Sequence, residues 1–228
     1  MAEPVKVGIN DGEYPPLLRE YPINPPHVLY RVGAPIPSTP IIGIAGTREP
    51  TEYGREVAYK LGRELARNGF AIATGFAAGI DTEAVKGAVS VGGRVIAVLP
   101  YLYEDVEMSR LINNPLLHEL LGYSGLTAIS ENPVRDGAMV RQWLVLRNRI
   151  IDGMSVAVII PETRYKSRGW GTYHHIRFGL GVGKPVYIFK PFTKEWDVWE
   201  GYMEFARRGA GIIQSIDDAI RLLTQITR

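Results

Sequence analysis

The chain has 228 residues, with 26 lysine and arginine residues, 24 acidic residues and no cysteine. A chain of this length buries a core without a metal or disulfide, and the missing thiols exclude cysteine nucleophiles, disulfide bonds and cysteine-ligated zinc. The formal net charge of +2 is nearly balanced, so an anion-binding surface requires local clustering of basic residues. With no apolar run of roughly 18 residues and no secretion signal, we expect a cytoplasmic protein.

Residues 1–40 are rich in proline, which lacks a backbone donor and restricts the residue before it, so regular helix is disfavoured there. Apolar side chains such as Tyr14, Leu18 and Leu29 allow this segment to pack against a neighbour. We therefore predict an ordered N-terminal extension over residues 1–40, packed on a second unit formed by residues 41–228.

From residue 41 onward, short apolar runs alternate with helical patterns. Strands are predicted at residues 41–45, 70–74, 95–99, 126–129, 156–160 and 186–189. Helices are predicted at residues 52–68, 81–91, 113–121, 138–152, 173–180 and 216–226. Strands that are apolar on both faces and alternate with helices are typical of a parallel sheet covered on both sides. The fold class is therefore α/β, with a doubly wound, mostly parallel sheet of the extended Rossmann-like kind.

Two glycine-containing clusters follow the first two of these predicted strands. They comprise Gly46, Thr47 and Arg48, and then Gly75, Phe76, Ala77 and Gly79. In a parallel sheet both clusters lie at the carboxyl ends of strands, where small residues and helix N-termini favour the approach of an anion. The pattern predicts phosphate binding; alternatively, the first cluster is a tight turn in which Arg48 pairs with a carboxylate. Asp81 is either a metal or ribose ligand or a helix cap.

A second set of polar residues, Arg147, Asn148 and Arg149, lies inside the predicted helix 138–152. Asn148 shares a stripe with Leu144 and Ile151, so we expect it to face inward and to hold a neighbouring loop through hydrogen bonds. Arg147 and Arg149 project in directions about 200° apart on a helix. Only one of the two arginines can therefore easily serve a given site.

Residues 164–177 form the clearest basic and aromatic cluster, with Lys166, Arg168 and Trp170 among its members. Cations interleaved with aromatic rings favour single-stranded nucleic acid, through phosphate contacts and base stacking. The alternative is an ordinary exposed loop with Trp170 packed on the core. Because His174 and His175 diverge on a helix and lack a third ligand, we expect no metal, and we expect no other cofactor.

These motifs, in this order, resemble the DNA-processing protein A family, also called DprA or Smf, over about residues 14–190. The segments that carry the resemblance include Gly46-Thr47-Arg48, Thr74-Gly75, Gly79-Ile80-Asp81, Ser130-Glu131-Asn132-Pro133 and Arg147-Asn148-Arg149-Ile150-Ile151. The resemblance implies a Rossmann-like domain that binds and protects single-stranded DNA, helps to load a RecA-type recombinase and typically forms dimers. It implies DNA contacts at Arg48 and the loop 75–79, with Arg147 and Arg149 near them. Electrostatics adds Lys166, Arg168 and Lys184.

Two other functions remain open. The glycine clusters suit a nucleotide-binding sensor as well as they suit DNA. In addition, Gly169-Trp170-Gly171-Thr172 is similar to the centre of the Pro-Gly-Gly-x-Gly-Thr-x-x-Glu motif of Lonely-Guy-type nucleotide phosphoribohydrolases. His175 stands where that motif has its catalytic glutamate, and an imidazole cannot replace a carboxylate that stabilises a ribosyl cation. We therefore expect DNA binding, not catalysis.

Overall fold

The computed structural model describes residues 4–102, 115–166 and 171–227. Within these residues, one sheet contains the strands β1 (Val5–Gly8), β2 (Val28–Gly33), β3 (Ile41–Ile44), β4 (Ala71–Thr74), β5 (Val95–Val98), β6 (Leu126–Ser130), β7 (Ala157–Ile160), β8 (Val186–Phe189) and β9 (Gly211–Ile213). The helices are α1 (Pro16–Arg19), α2 (Glu52–Arg67), α3 (Ile80–Val89), α4 (Pro115–Glu119), α5 (Val140–Leu146), α6 (Asn148–Met154), α7 (His174–Phe178), α8 (Trp196–Arg207) and α9 (Ile216–Ile226). None of the described helices is both long and apolar enough to cross a membrane.

The strands lie in the order β1-β2-β6-β5-β4-β3-β7-β8-β9. Strands β3 to β9 are parallel, and β2 pairs antiparallel with both β1 and β6. This confirms the predicted α/β class and the mostly parallel, doubly wound sheet. The chain builds the sheet outward from β3 in one direction and then returns to the other side of β3 with β7.

Alternation of apolar side chains divides the core between the two faces of the sheet. In β3, Ile42 and Ile44 pack in one cluster with residues of α2, α3 and α9, whereas Ile41 packs in another with residues of α1 and α6. A third cluster joins β7 and β8 to α7 and α8. Because successive side chains of a strand point to opposite faces, continuous apolar strands require helices on both sides.

Helix α2 illustrates how the sequence sets the element boundaries. Thr51 begins the helix by accepting a hydrogen bond from the Gly54 amide at 3.0 Å. Gly69, with φ of 83°, ends it, because glycine tolerates a positive φ that other residues disfavour. Predicted and observed boundaries therefore agree to within one residue at the C-terminal end.

Two predicted helices are interrupted. The predicted helix 138–152 is divided into α5 and α6 at Arg147, where the Ile150 amide donates to the carbonyl three residues back, a tighter turn than in an α-helix. The predicted helix 173–180 becomes α7 flanked by the short 3₁₀ helices Gly171–Tyr173 and Leu180–Val182. Residues 113 and 114 of the predicted helix 113–121 lie outside the described residues, and α4 ends at Glu119.

The sequence reasoning missed elements at both ends of the chain. The proline-rich extension contributes β1 and β2 to the sheet and α1 to its cover, although no strand or helix was predicted there. Helix α8 and strand β9 were also missed. Val198, Tyr202 and Phe205 are buried at helical spacing in α8, and this spacing is a signal that the sequence contains.

Candidate functional site

Loops that follow β3, β4 and β7 meet at the carboxyl edge of the sheet. Since the chain proceeds from β3 toward β6 on one side and from β7 toward β9 on the other, the order of the strands reverses between β3 and β7. In open α/β sheets, ligands bind in the crevice at such a reversal. The turn that contains Gly46, Thr47 and Arg48 follows β3 directly, so the fold places this predicted cluster at the reversal.

The two glycine clusters, about 30 residues apart in sequence, pack against each other through their backbones. The Ile80 amide donates to the Thr47 carbonyl at 3.1 Å. A Cβ atom on Gly46 would lie 2.4 Å from Cγ1 of Ile80, and one on Gly79, where φ is 82°, would lie 2.4 Å from the Thr47 carbonyl oxygen. Both positions therefore require glycine because of close approach.

Arg48 lies on the surface formed by the two packed glycine clusters. Its side chain is exposed, and among the residues that the structure describes it forms no ion pair. Its backbone packs against Gly79, because a Cβ atom there would lie 2.7 Å from the Arg48 carbonyl oxygen. Within the described ranges, the predicted alternative in which Arg48 pairs with a carboxylate is therefore not seen.

Asp81 uses the amide groups of the second cluster. Its Oδ2 accepts a hydrogen bond from the Ala77 amide at 3.2 Å, and the side chain is buried. Burial raises the pKa of Asp81, while the positive charge of Arg147 and the amides of Ala77 and Gly75 act in the opposite direction. The carboxylate therefore fixes the loop before α3 and does not cap the helix itself, because the N-cap residue of α3 is Gly79 and no side chain caps it among the described residues.

A second buried carboxylate, Glu162, accepts hydrogen bonds at the beginning of α2, and the sequence reasoning missed it. Its carboxylate accepts hydrogen bonds from the Thr51 amide at 2.8 Å and from the Thr51 hydroxyl at 2.5 Å. The residue is buried, and burial raises its pKa, while the hydrogen bonds from Thr51 and the charge of Arg164 oppose the rise. A negative side chain thus occupies the helix N-terminus at which a phosphate binds in many Rossmann-like folds.

Arg147 supports the second cluster from inside the protein. The residue is buried, and its Nη1 donates to the Val98 carbonyl at 2.6 Å. A Cβ atom on Gly75 would lie 2.0 Å from this Nη1, so the loop rests directly on the guanidinium. Burial lowers the pKa of Arg147 to about 10, Asp81 opposes this, and Arg48 adds to it, so Arg147 still carries its charge at neutral pH.

Arg149 points elsewhere, as the divergence of the two arginines predicts. It is buried and forms a bidentate pair with Glu131, with distances of 2.7 and 2.5 Å, and its Nε donates to the Asn24 carbonyl at 3.1 Å. Asn148 is also buried, but the predicted hydrogen bond to a neighbouring loop is not seen among the described residues. Arg149 therefore joins the N-terminal extension to the end of β6.

The segment after β7 is described only in part. Lys166 is exposed and lies over the ring of Tyr165, with 5.0 Å between Nζ and the ring centroid. Arg168 and Trp170, two of the predicted contacts, lie outside the described residues. Lys184 directly precedes Pro185 and β8, at the opposite edge of the sheet, and its Nζ donates to the Ser155 carbonyl at 2.7 Å. The structure therefore separates Lys184 from the other predicted residues.

His175 belongs to the interior of the protein. It is buried, and its Nδ1 lies 2.6 Å from Oδ1 of Asp152, which is also buried. Burial raises the pKa of Asp152, and His175 opposes that effect. In the part of the chain that the structure describes, no group of three or more metal-ligating side chains is found.

Comparison with known proteins decides the family. The model of the DNA recombination-mediator protein A family matches residues 6–224. The chain belongs to this family. It is 39% identical over 222 residues to a protein named Smf from Synechocystis and 30% identical over 227 residues to DNA processing protein DprA from Bacillus subtilis. These matches cover 95% and 96% of the chain, but they span 53% of the Synechocystis protein and 71% of the Bacillus protein.

A solved structure of DNA processing protein A from Helicobacter pylori, described for its single-stranded DNA binding mode, is similar along its whole length. It has a TM-score of 0.74 and 26% sequence identity, and the match covers 96% of each chain. The chain thus shares the fold of its family from the N-terminal strands to the last helix. The family places it among proteins of DNA processing and recombination.

One further part of the carboxyl edge was missed. Phe192, in the loop between β8 and α8, and Trp196, the first residue of α8, have exposed fractions of 82% and 68%. Two lysines, Lys190 and Lys194, are exposed in the same loop. A signal was present in the sequence, because basic and aromatic residues alternate directly after a predicted strand that ends at the same edge.

Proposed function

We propose that this chain binds single-stranded DNA along the carboxyl edge of its sheet, as part of DNA processing, uptake or recombination. Family membership supports the proposal, as does the similarity to the Helicobacter pylori protein, whose single-stranded DNA binding mode is described. The observation that carries it is the exposed side chain of Arg48 at the strand reversal, where its backbone packs against Gly79 and no carboxylate pairs with its guanidinium among the described residues.

In this proposal the residues of the edge have different tasks. Arg48 binds a phosphate, because a guanidinium offers two parallel donors to phosphate oxygens. Lys166 and the undescribed residues Arg168 and Trp170 extend the contact along the strand. Gly46, Thr47, Gly75, Phe76, Ala77 and Gly79 shape the surface that positions Arg48. The buried Arg147 guanidinium packs under Gly75, supports this surface and adds positive charge.

The two buried carboxylates favour DNA over a small-nucleotide sensor. Glu162 already accepts the Thr51 amide at the beginning of α2, and Asp81 accepts the Ala77 amide in the loop before α3, so neither amide is left for a mononucleotide phosphate. A polynucleotide does not depend on one such cradle, because its phosphates are distributed along the surface and are neutralised by side chains. We therefore retain nucleotide sensing only as the alternative that the binding experiment below tests.

A phosphoribohydrolase activity is disfavoured by the position of His175. The Lonely-Guy motif needs a carboxylate facing a ribosyl cation. Here the corresponding residue is an imidazole, only 1% exposed, which is hydrogen-bonded to Asp152 inside the protein. We propose a binding protein, not an enzyme.

Two parts of the proposal, loading of a RecA-type recombinase and assembly as a homodimer, rest on family membership alone. A cytoplasmic location is a third part of the proposal. All three agree with a protein that protects single-stranded DNA before recombination.

The proposal is tested by fluorescence anisotropy with a labelled oligothymidine at several salt concentrations. Arg48→Ala should weaken binding and make the slope of log K against log salt shallower by about 0.7, the value for one phosphate contact on a single strand. Arg67→Ala is the matched control, because Arg67 is an exposed arginine at the other end of α2, paired with Glu64. Equal salt slopes for the wild type and Arg48→Ala would show that Arg48 does not contact a phosphate of the DNA.

A further inference from the structure

Two aromatic side chains after β8 are exposed to solvent, one in the loop between β8 and α8 and one at the first position of α8. Phe192 is 82% exposed and Trp196 is 68% exposed, although large apolar side chains usually bury most of their surface. The loop itself is fixed, because Nε1 of Trp199 donates to the Thr193 carbonyl at 2.8 Å and the Thr193 hydroxyl accepts from the Glu195 amide at 3.2 Å. The rings are therefore held in solvent by an ordered backbone.

The loop between β8 and α8 lies next to the segment after β3 that contains Arg48. The ring of Phe192 lies against that of Tyr53 in the first turn of α2, with 5.9 Å between centroids and an angle of 56° between planes. Arg164 completes the connection, since its Nε donates to the Glu49 carbonyl at 2.6 Å. The loops that follow β3, β7 and β8 thus form one continuous surface.

The charges of this surface favour a polyanion. Glu195 and Asp197, which flank Trp196 in sequence, both pair with Arg164 at 2.7 and 3.0 Å, so one cation balances one of these two carboxylates. Lys190 and Lys194 are exposed, and neither has an acidic partner within the described ranges. Among the described residues, this segment therefore offers two lysine ammonium groups without ion pairs and a net charge of about +1 from its three cations and two carboxylates.

We propose that Tyr53, Phe192 and Trp196, here called the aromatic platform, stack bases of single-stranded DNA whose phosphates contact Arg48, Lys190 and Lys194. The proposal rests on the proposed function and extends the DNA path from the β3–β7 reversal to the end of β8. Every base has a π-face, so such a platform accepts any sequence. Tyr53 supports Phe192 from one side, and the exposed side of the Phe192 ring receives the base.

The test compares Phe192→Ala, Trp196→Ala and the conservative variant Phe192→Tyr in the same anisotropy assay. Each alanine variant should bind oligothymidine roughly 5- to 150-fold more weakly, the loss expected for one stacked base. The salt slope should stay at the wild-type value because no charge is removed. Phe192→Tyr should retain tight binding, and Leu17→Ala, which replaces an exposed apolar residue in α1, should change nothing.

A second measurement locates the contact directly. Oligothymidine that carries 5-iododeoxyuridine should cross-link to Phe192 or Trp196 on irradiation, and peptide mapping should identify the residue. Since both side chains are largely exposed, the variants should melt at the wild-type temperature.

The possible failures are distinguishable. If the wild type binds in an Arg48-dependent manner but the alanine variants bind equally well, the aromatic platform is refuted and the proposed function stands. If the wild type binds no oligonucleotide even at low salt, both proposals fall. If Phe192→Ala instead converts dimers to monomers in sedimentation without changing DNA affinity per protomer, the rings form an interface between copies, and the stacking proposal is overturned.

Discussion

Replacing Arg149 by methionine tests the assignment of the two neighbouring arginines to different tasks. The structure gives Arg149 two hydrogen bonds to the Glu131 carboxylate, at 2.7 and 2.5 Å, and one to the Asn24 carbonyl at 3.1 Å. Removing one partner of a buried ion pair costs about 3–5 kcal/mol. Because the Glu131 side chain keeps 21% exposure, water relieves part of this penalty, and we expect the lower end, about 3 kcal/mol.

For a domain of this size, that loss lowers Tm by about 6–12 °C. Urea unfolding and thermal melting measure the effect, with Arg48→Met as the matched control. Arg48 is exposed, so its replacement should change stability by no more than about 0.5 kcal/mol while weakening DNA binding. At a temperature where Arg149→Met is fully folded, this variant should bind DNA with the wild-type salt slope.

The opposite pattern would refute the reasoning. An Arg149→Met variant as stable as the wild type but defective in DNA binding would make Arg149 a DNA contact and not a structural residue. The double variant Glu131→Gln/Arg149→Met provides a further check. It should recover part of the lost stability, because no unpaired charge is then left behind.

Two further predictions concern the glycine cluster and the internal carboxylate. Gly79→Ala should destabilise the protein by roughly 2–3 kcal/mol in urea unfolding, because the new Cβ atom meets the Thr47 carbonyl oxygen. Gly69→Ala is the control: its φ is 83° but the space around it is open, so it should cost only about 1 kcal/mol. Equal losses for the two variants would contradict the predicted clash. Burial raises the pKa of Glu162 above its ordinary value of 4.5, so its contribution to stability is complete below that value and is lost as pH rises through its folded pKa. The wild type should therefore lose stability relative to Glu162→Gln as the pH rises from 4 to 7, measured as the difference between their free energies of unfolding. A difference that stays constant with pH would show that the pKa of Glu162 is not raised.

The sheet was predictable because its central strands are apolar on both faces. The prediction located six of the seven parallel strands, and their parallel order brought Gly46 and Gly79 to the same edge. Strands β1 and β2 were missed because they lie in a proline-rich segment, and the effect of proline on helix formation says nothing about pairing with β6. Helix α8 was missed although its apolar spacing is regular.

The partners of the polar side chains were much less predictable. Glu162 lies 111 residues from Thr51, and Arg149 lies 18 residues from Glu131. Periodicity places a residue on a face, but only the assembled sheet determines which loop that face meets. This is why the sequence indicated that Arg147 and Arg149 diverge without showing that both are buried.

The most direct test of the central claim is the strand preference of the wild-type chain. A labelled oligothymidine is titrated by fluorescence anisotropy at several salt concentrations, with unlabelled single strand, duplex or mononucleotide as competitor. We predict salt-sensitive binding that the single strand competes for most effectively. Binding that is absent at low salt, or that a mononucleotide displaces as readily as the single strand does, would contradict the account.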